Sequence, residues 1–140
     1  MRACGIDLKG SDAIFAVVDV DETSNVTFVA TNPKKISLGS DNDADLLRNF
    51  QTAAKAFLQE NDVFYVVIKD RQRRGALSAG AQTFKMEAAL QLIEGLVVFF
   101  HWGPSVVKFL KKEKPLLPEN LLAYQIEAYY SAVLHFKKVS

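Results

Sequence analysis

An uninterrupted apolar run at residues 63–68 (VFYVVI) constrains the fold of this 140-residue chain more than any other feature. A strand that is apolar at every position is typical of the middle of a parallel sheet, where helices cover both faces. Residues 96–100 (LVVFF) form a second such run, and the segment between the two has helical spacing of apolar residues. The two runs therefore predict parallel strands joined by a helical crossover, as in an α/β fold.

The other elements complete this prediction. Residues 3–8, 13–18 and 26–30 predict three strands joined by short polar turns, which is an antiparallel meander. Helices are predicted after the capping cluster at residues 40–45 and at about 81–94, 104–112 and 119–137. Right-handed crossovers place the fourth and fifth strands beside the first. We therefore expect a mixed five-stranded sheet, with strands 1–3 antiparallel and strands 4 and 5 parallel to strand 1, flanked by helices.

Composition narrows the class of protein. The length suits one domain, so residues 1–140 are expected to form a single domain. The formal net charge is +1, so any attraction to nucleic acid must come from local patches. No stretch approaches the roughly 18 apolar residues of a membrane span, and the N-terminal segment is too short and too polar for a signal peptide. We expect a cytoplasmic protein with no membrane partner, in which the one cysteine, Cys4, is buried and inert.

Two aspartates follow neighbouring predicted strands. Asp7 lies at the end of the first strand and Asp70 just past the fourth. The carboxyl ends of parallel strands meet at one edge of a sheet, where neighbouring strands are about 5 Å apart. Carboxylates that close are tolerated when they are solvated, when one is protonated, or when they share a cation such as Mg²⁺ or Mn²⁺. The alternative is two separate aspartates, Asp7 bonded to the following turn and Asp70 paired with an arginine of the next loop.

The motif at residues 5–10 (GIDLKG) and the order of elements resemble ribonuclease H-like proteins, in particular bacterial Holliday junction resolvases of the RuvC type. Residues 4–11, 68–71 and 79–94 resemble more closely an uncharacterised bacterial family, the domain of unknown function number 3010, over nearly the whole chain. That family has no established activity. The opening motif is also similar to the first phosphate loop of actin-like ATPases and sugar kinases, but those bind nucleotide between two domains and this chain has room for one.

The resemblance to resolvases implies a set of site residues. Those enzymes have a carboxylate on the first strand, a second, usually Glu, at the end of the fourth, and two more on the final helix. By position Asp7 matches the first carboxylate and Asp70 the second. The final helix offers Glu119 in its expected first turn and Glu127 in its middle, about 12 Å apart by helical rise. The resemblance thus implies catalytic and metal-binding roles for Asp7, Asp70 and Glu127, although Glu127 is equally explained as an exposed helical residue.

Basic residues are predicted to bind phosphate beside these acids. The predicted set is Lys9, Lys69, Arg71, Arg73, Arg74 and Lys85. Much of this set is equally explained as a solvated loop. Four lysines in residues 108–114 could extend the phosphate-binding surface, but they are equally explained as the solvated face of a helix. His101 is a candidate proton shuttle, although a lone histidine is more often structural. Trp102 is expected to belong to the core with the other aromatic residues, with an exposed stacking platform as the alternative.

Two hypotheses of function follow. The first is a Mg²⁺- or Mn²⁺-dependent nuclease that hydrolyses structured or branched DNA or RNA, motivated by the acids at adjacent strand ends beside a basic loop. The second is a catalytically inactive ribonuclease H-like module that binds nucleic acid, a nucleotide or a protein partner. It is motivated by the incomplete acid set of the last helix and the near-neutral charge. A homodimer is expected by analogy with resolvases.

Overall fold

The computed structural model describes residues 1–70 and 80–139. The strands are β1 (Arg2–Lys9), β2 (Asp12–Val20), β3 (Val26–Val29), β4 (Lys35–Ser37), β5 (Tyr65–Asp70) and β6 (Val97–Trp102). The helices are α1 (Ala44–Glu60), α2 (Ala81–Gln91), α3 (Gly103–Glu113) and α4 (Ile126–Val139), with a short 3₁₀ helix (Ala123–Gln125) before α4. None of these helices is long and apolar enough to cross a membrane.

The sheet has the order β3-β2-β1-β5-β6, with β4 paired to β2. Antiparallel pairing joins β1 to β2 and β2 to β3, whereas β5 runs parallel to β1 and β6 parallel to β5. The predicted mixed α/β sheet is thus confirmed, with one correction: it has six strands, because β4 also pairs with β2. That strand has three residues (KIS), too few to show an alternation of apolar and polar positions.

Successive residues of each strand face opposite layers of helices. Cys4, Ile6 and Leu8 of β1 pack in one core with buried residues of α1 and α2. Ala3 of β1 packs in a second core with residues of α4, such as Val133. The odd-numbered residues of β1 therefore lie on the side of the sheet that α4 covers, which we call the α4 face.

Gly5 lets α4 lie directly on β1. A Cβ atom at this position would be 1.9 Å from the carbonyl oxygen of Ala128 and 3.3 Å from the Cβ of Ala132. Both alanines are fully buried and lie four residues apart, hence on one side of the helix. This close approach brings the first turn of α4 over the carboxyl end of β1.

The last helix starts later than predicted. It begins at Ile126 rather than at residue 119, so Glu119 lies outside it and Glu127 is in its first turn. Asn120 has a positive φ of 68°, which interrupts a helix. The buried Gln125 then fixes the turn: its Oε1 accepts a hydrogen bond from the Leu122 backbone amide and its Nε2 donates one to the Phe15 carbonyl.

Cys4 is fully buried in β1, as expected. Because burial disfavours the thiolate, the pKa of this thiol is raised well above its ordinary value. The thiol is therefore a core group with no part in the chemistry of the site below.

Candidate site at the carboxyl edge of the sheet

A lysine ammonium lies between two carboxylates at the carboxyl edge of the sheet. The Nζ of Lys69 is 3.5 Å from Oδ1 of Asp7 and 3.1 Å from Oε1 of Glu127. The three residues come from β1, β5 and α4, and Gly5 allows α4 to approach closely enough for Glu127 to complete the group. We call these residues the Asp7–Lys69–Glu127 cluster.

The cluster is largely removed from water. Asp7 is 1% exposed, and the side chain of Lys69 is 14% exposed. A buried carboxylate is stable only when a charge or hydrogen bonds compensate it, and Lys69 supplies such a charge. Removing the lysine would leave two carboxylates facing each other in a poorly solvated place.

The strand register explains why Lys69 rather than Asp70 is beside Asp7. Ile6 of β1 is paired with Ile68 of β5, so the next residues on both strands, Asp7 and Lys69, extend on the α4 face. Asp70 is one residue further along β5, and the alternation of the strand places it on the opposite face, in register with Trp102. The carboxylate of Asp7 therefore has a lysine where the resemblance to resolvases implies a second acid.

The predicted set of three carboxylates is consequently not gathered into one site. Within residues 1–70 and 80–139, no group of three or more His, Cys, Asp or Glu side chains is arranged to hold a metal ion. Asp7 and Glu127 are brought together, but through Lys69, and Asp70 extends from the other face.

The side chains present do not fit a divalent metal ion in this arrangement. Mg²⁺ and Mn²⁺ are hard cations that need oxygen ligands around them. The position that touches both carboxylates is held by the ammonium of Lys69. Two unit charges of the same sign about 4 Å apart repel by about 4 kcal/mol near a protein surface, and a divalent ion doubles that charge product. A metal ion and this ammonium would therefore compete for the same place.

The α4 face also carries a polar residue of β6, the strand next to β5. His101 is paired in register with Lys69 and extends on the same face. Its ring centroid is 6.2 Å from that of His135 on α4, and the His135 ring is 4.7 Å from Phe99. Two strand spacings, about 10 Å, separate His101 from Asp7 along the sheet. Its role as a proton shuttle stays a prediction.

The predicted phosphate-binding residues have different surroundings. Lys85 is engaged by Asp41: its Nζ is 3.3 Å from Oδ2 and 2.9 Å from the backbone carbonyl of that residue. Lys9 is exposed at the end of β1. Lys69 belongs to the Asp7–Lys69–Glu127 cluster. Arg71, Arg73 and Arg74 lie outside the described residues.

Helix α3 carries a row of exposed lysines beside this edge. The row is Lys108, Lys111 and Lys112. None of the three forms an ion pair with another described residue. Lys111 also lines a shallow groove between α3 and α4 that reaches Glu127. We call these residues the α3 lysine row.

Two features of the site were missed by sequence reasoning. Lys69 was grouped with phosphate-binding residues, whereas it holds two carboxylates together. Counting the same number of residues past the buried Ile6 and Ile68 would have aligned it with Asp7. Trp102, expected mainly in the core, is 52% exposed at the carboxyl end of β6. No spacing signal separates an exposed tryptophan at a strand end from a buried one.

Comparison with known proteins identifies the family of this chain and proteins of similar fold. The profile of a family described as "Protein of unknown function (DUF3010)" matches residues 1–135. No curated protein matches the sequence. A solved structure of Thermus thermophilus RuvC has a TM-score of 0.70 and 12% identity, over 99% of this chain and 96% of that chain.

Two further solved structures have similar folds. T. thermophilus RuvC in complex with a Holliday junction substrate has a TM-score of 0.70 and 14% identity, over 99% of this chain and 95% of that one. The fowlpox virus Holliday junction resolvase has a TM-score of 0.55 and 11% identity, over 99% of both chains. At these identities the likeness shows the fold, which is that of the RuvC-type resolvases.

Proposed function

This chain belongs to the DUF3010 family of proteins of unknown function, and we propose that it is a resolvase-like module that binds structured nucleic acid without cleaving it. The observation that carries the proposal is the position of the Lys69 ammonium, 3.5 Å from Asp7 and 3.1 Å from Glu127. This lysine takes the place in which a nuclease of this fold would have its second carboxylate, and it fills the position of a shared cation.

The charge of the edge supports binding of a phosphate backbone. Two bare carboxylates would repel phosphate, but the ammonium of Lys69 reduces the negative charge of the cluster from −2 to −1. The α3 lysine row then adds three positive charges that no described acid neutralises. Phosphate contacts from lysine supply most of the sequence-independent affinity for nucleic acid. The fold itself adds support, since a RuvC of similar structure has been solved with a Holliday junction.

We expect the purified protein to bind a labelled four-way DNA junction in EDTA, with a Kd on the order of 10⁻⁶ M at low salt that weakens steeply as salt is added. Fluorescence anisotropy measures this binding. Exchanging the three residues of the α3 lysine row for alanine is expected to weaken it by about tenfold or more and to reduce the salt dependence.

The matched control is Lys55→Ala, an exposed lysine of α1 on the other layer of helices. It is expected to leave the affinity unchanged. Absence of junction binding in EDTA at low salt, or equal losses in the control and in the α3 variant, would contradict the proposal.

A metal-dependent nuclease acting on structured or branched nucleic acid is the second candidate. It is favoured by one observation: Asp7 and Glu127, from separate elements, face a single cation position. Incubation with junctions, hairpins and RNA–DNA hybrids in Mn²⁺ tests this candidate. Cleavage that is lost in Asp7→Asn and retained in Asp45→Asn, an exposed aspartate of α1, would favour it over the first. The same assay on Asp70→Asn shows whether that residue takes part.

A homodimer stays a prediction.

A further inference from the structure

A shallow groove between α3 and α4 lies directly beside the Asp7–Lys69–Glu127 cluster. Its volume is about 370 Å³, near the lower end of the roughly 300–1,000 Å³ that is usual for small-molecule sites. Glu127 belongs both to the cluster and to the lining of the groove. The lining residues are Val107, Leu110, Lys111, Ala123, Ile126 and Glu127. The groove therefore has an apolar wall on each side and carries one cation and one carboxylate.

Glu127 presents a free acceptor atom at this groove. Its Oε1 is 3.1 Å from the ammonium of Lys69, whereas its Oε2 accepts no hydrogen bond from any described residue. Among the described residues, no buried side-chain oxygen lacks a hydrogen-bond partner, so Oε2 must be accessible to solvent. An ionised carboxylate accepts hydrogen bonds and donates none. A ligand in the groove can therefore be bound at this atom through an N–H group.

Lys111 connects the groove to the α3 lysine row. It lines the groove and forms no ion pair with Glu127 or with any other described residue. At about 100° per residue, Lys111 lies about 40° around α3 from Val107, and Lys108 lies about 60° further in the same direction. The side of α3 that carries the row therefore begins at the rim of the groove.

We propose that the groove between α3 and α4 takes one unpaired base of the bound nucleic acid. Oε2 of Glu127 accepts a hydrogen bond from the amino group of that base, and the α3 lysine row holds the adjoining phosphates. Apolar walls suit the two faces of a base, and lysine contacts to phosphate are independent of sequence. Cytosine is favoured over thymine, because it has an amino group where thymine has a carbonyl oxygen. This inference rests on the proposed function and specifies which part of the nucleic acid the site takes.

The preference between two bases tests this site. Fluorescein-labelled oligodeoxycytidine and oligothymidine of equal length are titrated in EDTA at slightly alkaline pH while the anisotropy of the label is recorded. The unsubstituted chain is expected to bind the cytidine strand more tightly by about fivefold or more. Glu127→Gln is expected to abolish or reverse this preference, because the amide can donate a hydrogen bond to the carbonyl oxygen of thymine.

The matched control is Glu113→Gln, an exposed glutamate at the end of α3 that does not line the groove. Both substitutions remove one negative charge, so both are expected to strengthen the binding of either strand. Glu127→Gln alone is expected to change the ratio of the two Kd values. That ratio therefore separates a contact with the base from a change in the charge of the protein.

Filling the groove tests its apolar walls. Ala123 is exposed and lines the groove, so Ala123→Phe is expected to take the space of the base and to weaken binding of the cytidine strand by about fivefold or more. Binding of a perfect duplex is expected to change little, because a duplex offers no unpaired base. Ala56→Phe, at an exposed position of α1 in the other layer of helices, is expected to leave single-strand binding unchanged. Circular dichroism and thermal melting verify that the variants are folded.

The outcomes separate the two proposals. If the junction binds but the unsubstituted chain does not prefer the cytidine strand, or Glu127→Gln keeps that preference, the base-binding inference is overturned and the proposed function stands. Equal effects of Ala123→Phe and Ala56→Phe overturn the inference as well. If neither the junction nor a single strand binds, both proposals are overturned. A preference that Glu127→Gln removes and Glu113→Gln keeps, together with a selective loss in Ala123→Phe, supports both.

Discussion

Replacing Lys69 by glutamate is expected to create a Mn²⁺ site at the Asp7–Lys69–Glu127 cluster. The substitution removes the ammonium that lies 3.5 Å from Asp7 and 3.1 Å from Glu127 and adds a third carboxylate on the same face. Without metal, the three acids repel one another in a largely buried place, and breaking a buried ion pair costs about 3–5 kcal/mol of stability. Mn²⁺ is expected to bind with a Kd on the order of 10⁻⁴ to 10⁻³ M and to restore part of this loss.

The measurement is calorimetric titration with Mn²⁺, joined to thermal melting with and without the ion. Lys69→Gln is the matched control, because it removes the ammonium without adding a carboxylate, and it is expected to bind Mn²⁺ more weakly than Lys69→Glu. Adding Asp7→Asn to Lys69→Glu is expected to abolish the gain. Saturable Mn²⁺ binding by the unsubstituted chain as tight as that of Lys69→Glu would contradict the role given to Lys69.

Gly5→Ala is expected to be the most destabilising glycine-to-alanine change among the glycines that the structure describes. The added Cβ would lie 1.9 Å from the carbonyl oxygen of Ala128, which is backbone and cannot rotate away. Helix α4 would have to move off β1, so we expect a loss of about 3 kcal/mol or more and a fall in Tm on the order of 10 °C. The shift of α4 would also separate Glu127 from Lys69.

Chemical denaturation and thermal melting measure this effect. Gly80→Ala is the matched control, since the nearest atom to its added Cβ is Gln82 Oε1 at 3.8 Å and its backbone angles suit alanine. It is expected to cost less than about 1 kcal/mol. Equal stabilities of the two variants would show that α4 does not depend on the close approach at Gly5.

The sheet could be predicted because its signals are local and strong. The apolar runs at residues 63–68 and 96–100 indicated the parallel strands, and the polar turns between the first strands indicated the meander. Strand β4 was missed because three residues carry no periodicity. The start of α4 was misplaced because Pro118 and Glu119 look like a helix N-terminus, whereas Asn120 and the buried Gln125 shape a turn that only tertiary contacts reveal.

The set of site residues was predicted less well, because the side chains that meet at the site depend on the face of the sheet on which each strand residue lies. Asp7 and Glu127 were identified as residues of one site, and the structure brings them together. Asp70 was matched to a resolvase carboxylate by nearness in sequence, but one residue along a strand reverses the face. The residue that aligns with Asp7 is Lys69, so an ammonium rather than a second carboxylate lies beside Asp7, while the metal-binding roles of Asp7, Asp70 and Glu127 stay predictions.

Calorimetric titration of the junction-bound protein with Mn²⁺ tests whether Lys69 is the cation of this site, because bound phosphates would supply any oxygen ligands that the protein alone lacks. We predict no saturable heat attributable to Asp7, and DNA strands that remain intact on a denaturing gel. Stoichiometric Mn²⁺ binding that disappears in Asp7→Asn, accompanied by cut strands, would contradict the claim that Lys69 is the cation of this site.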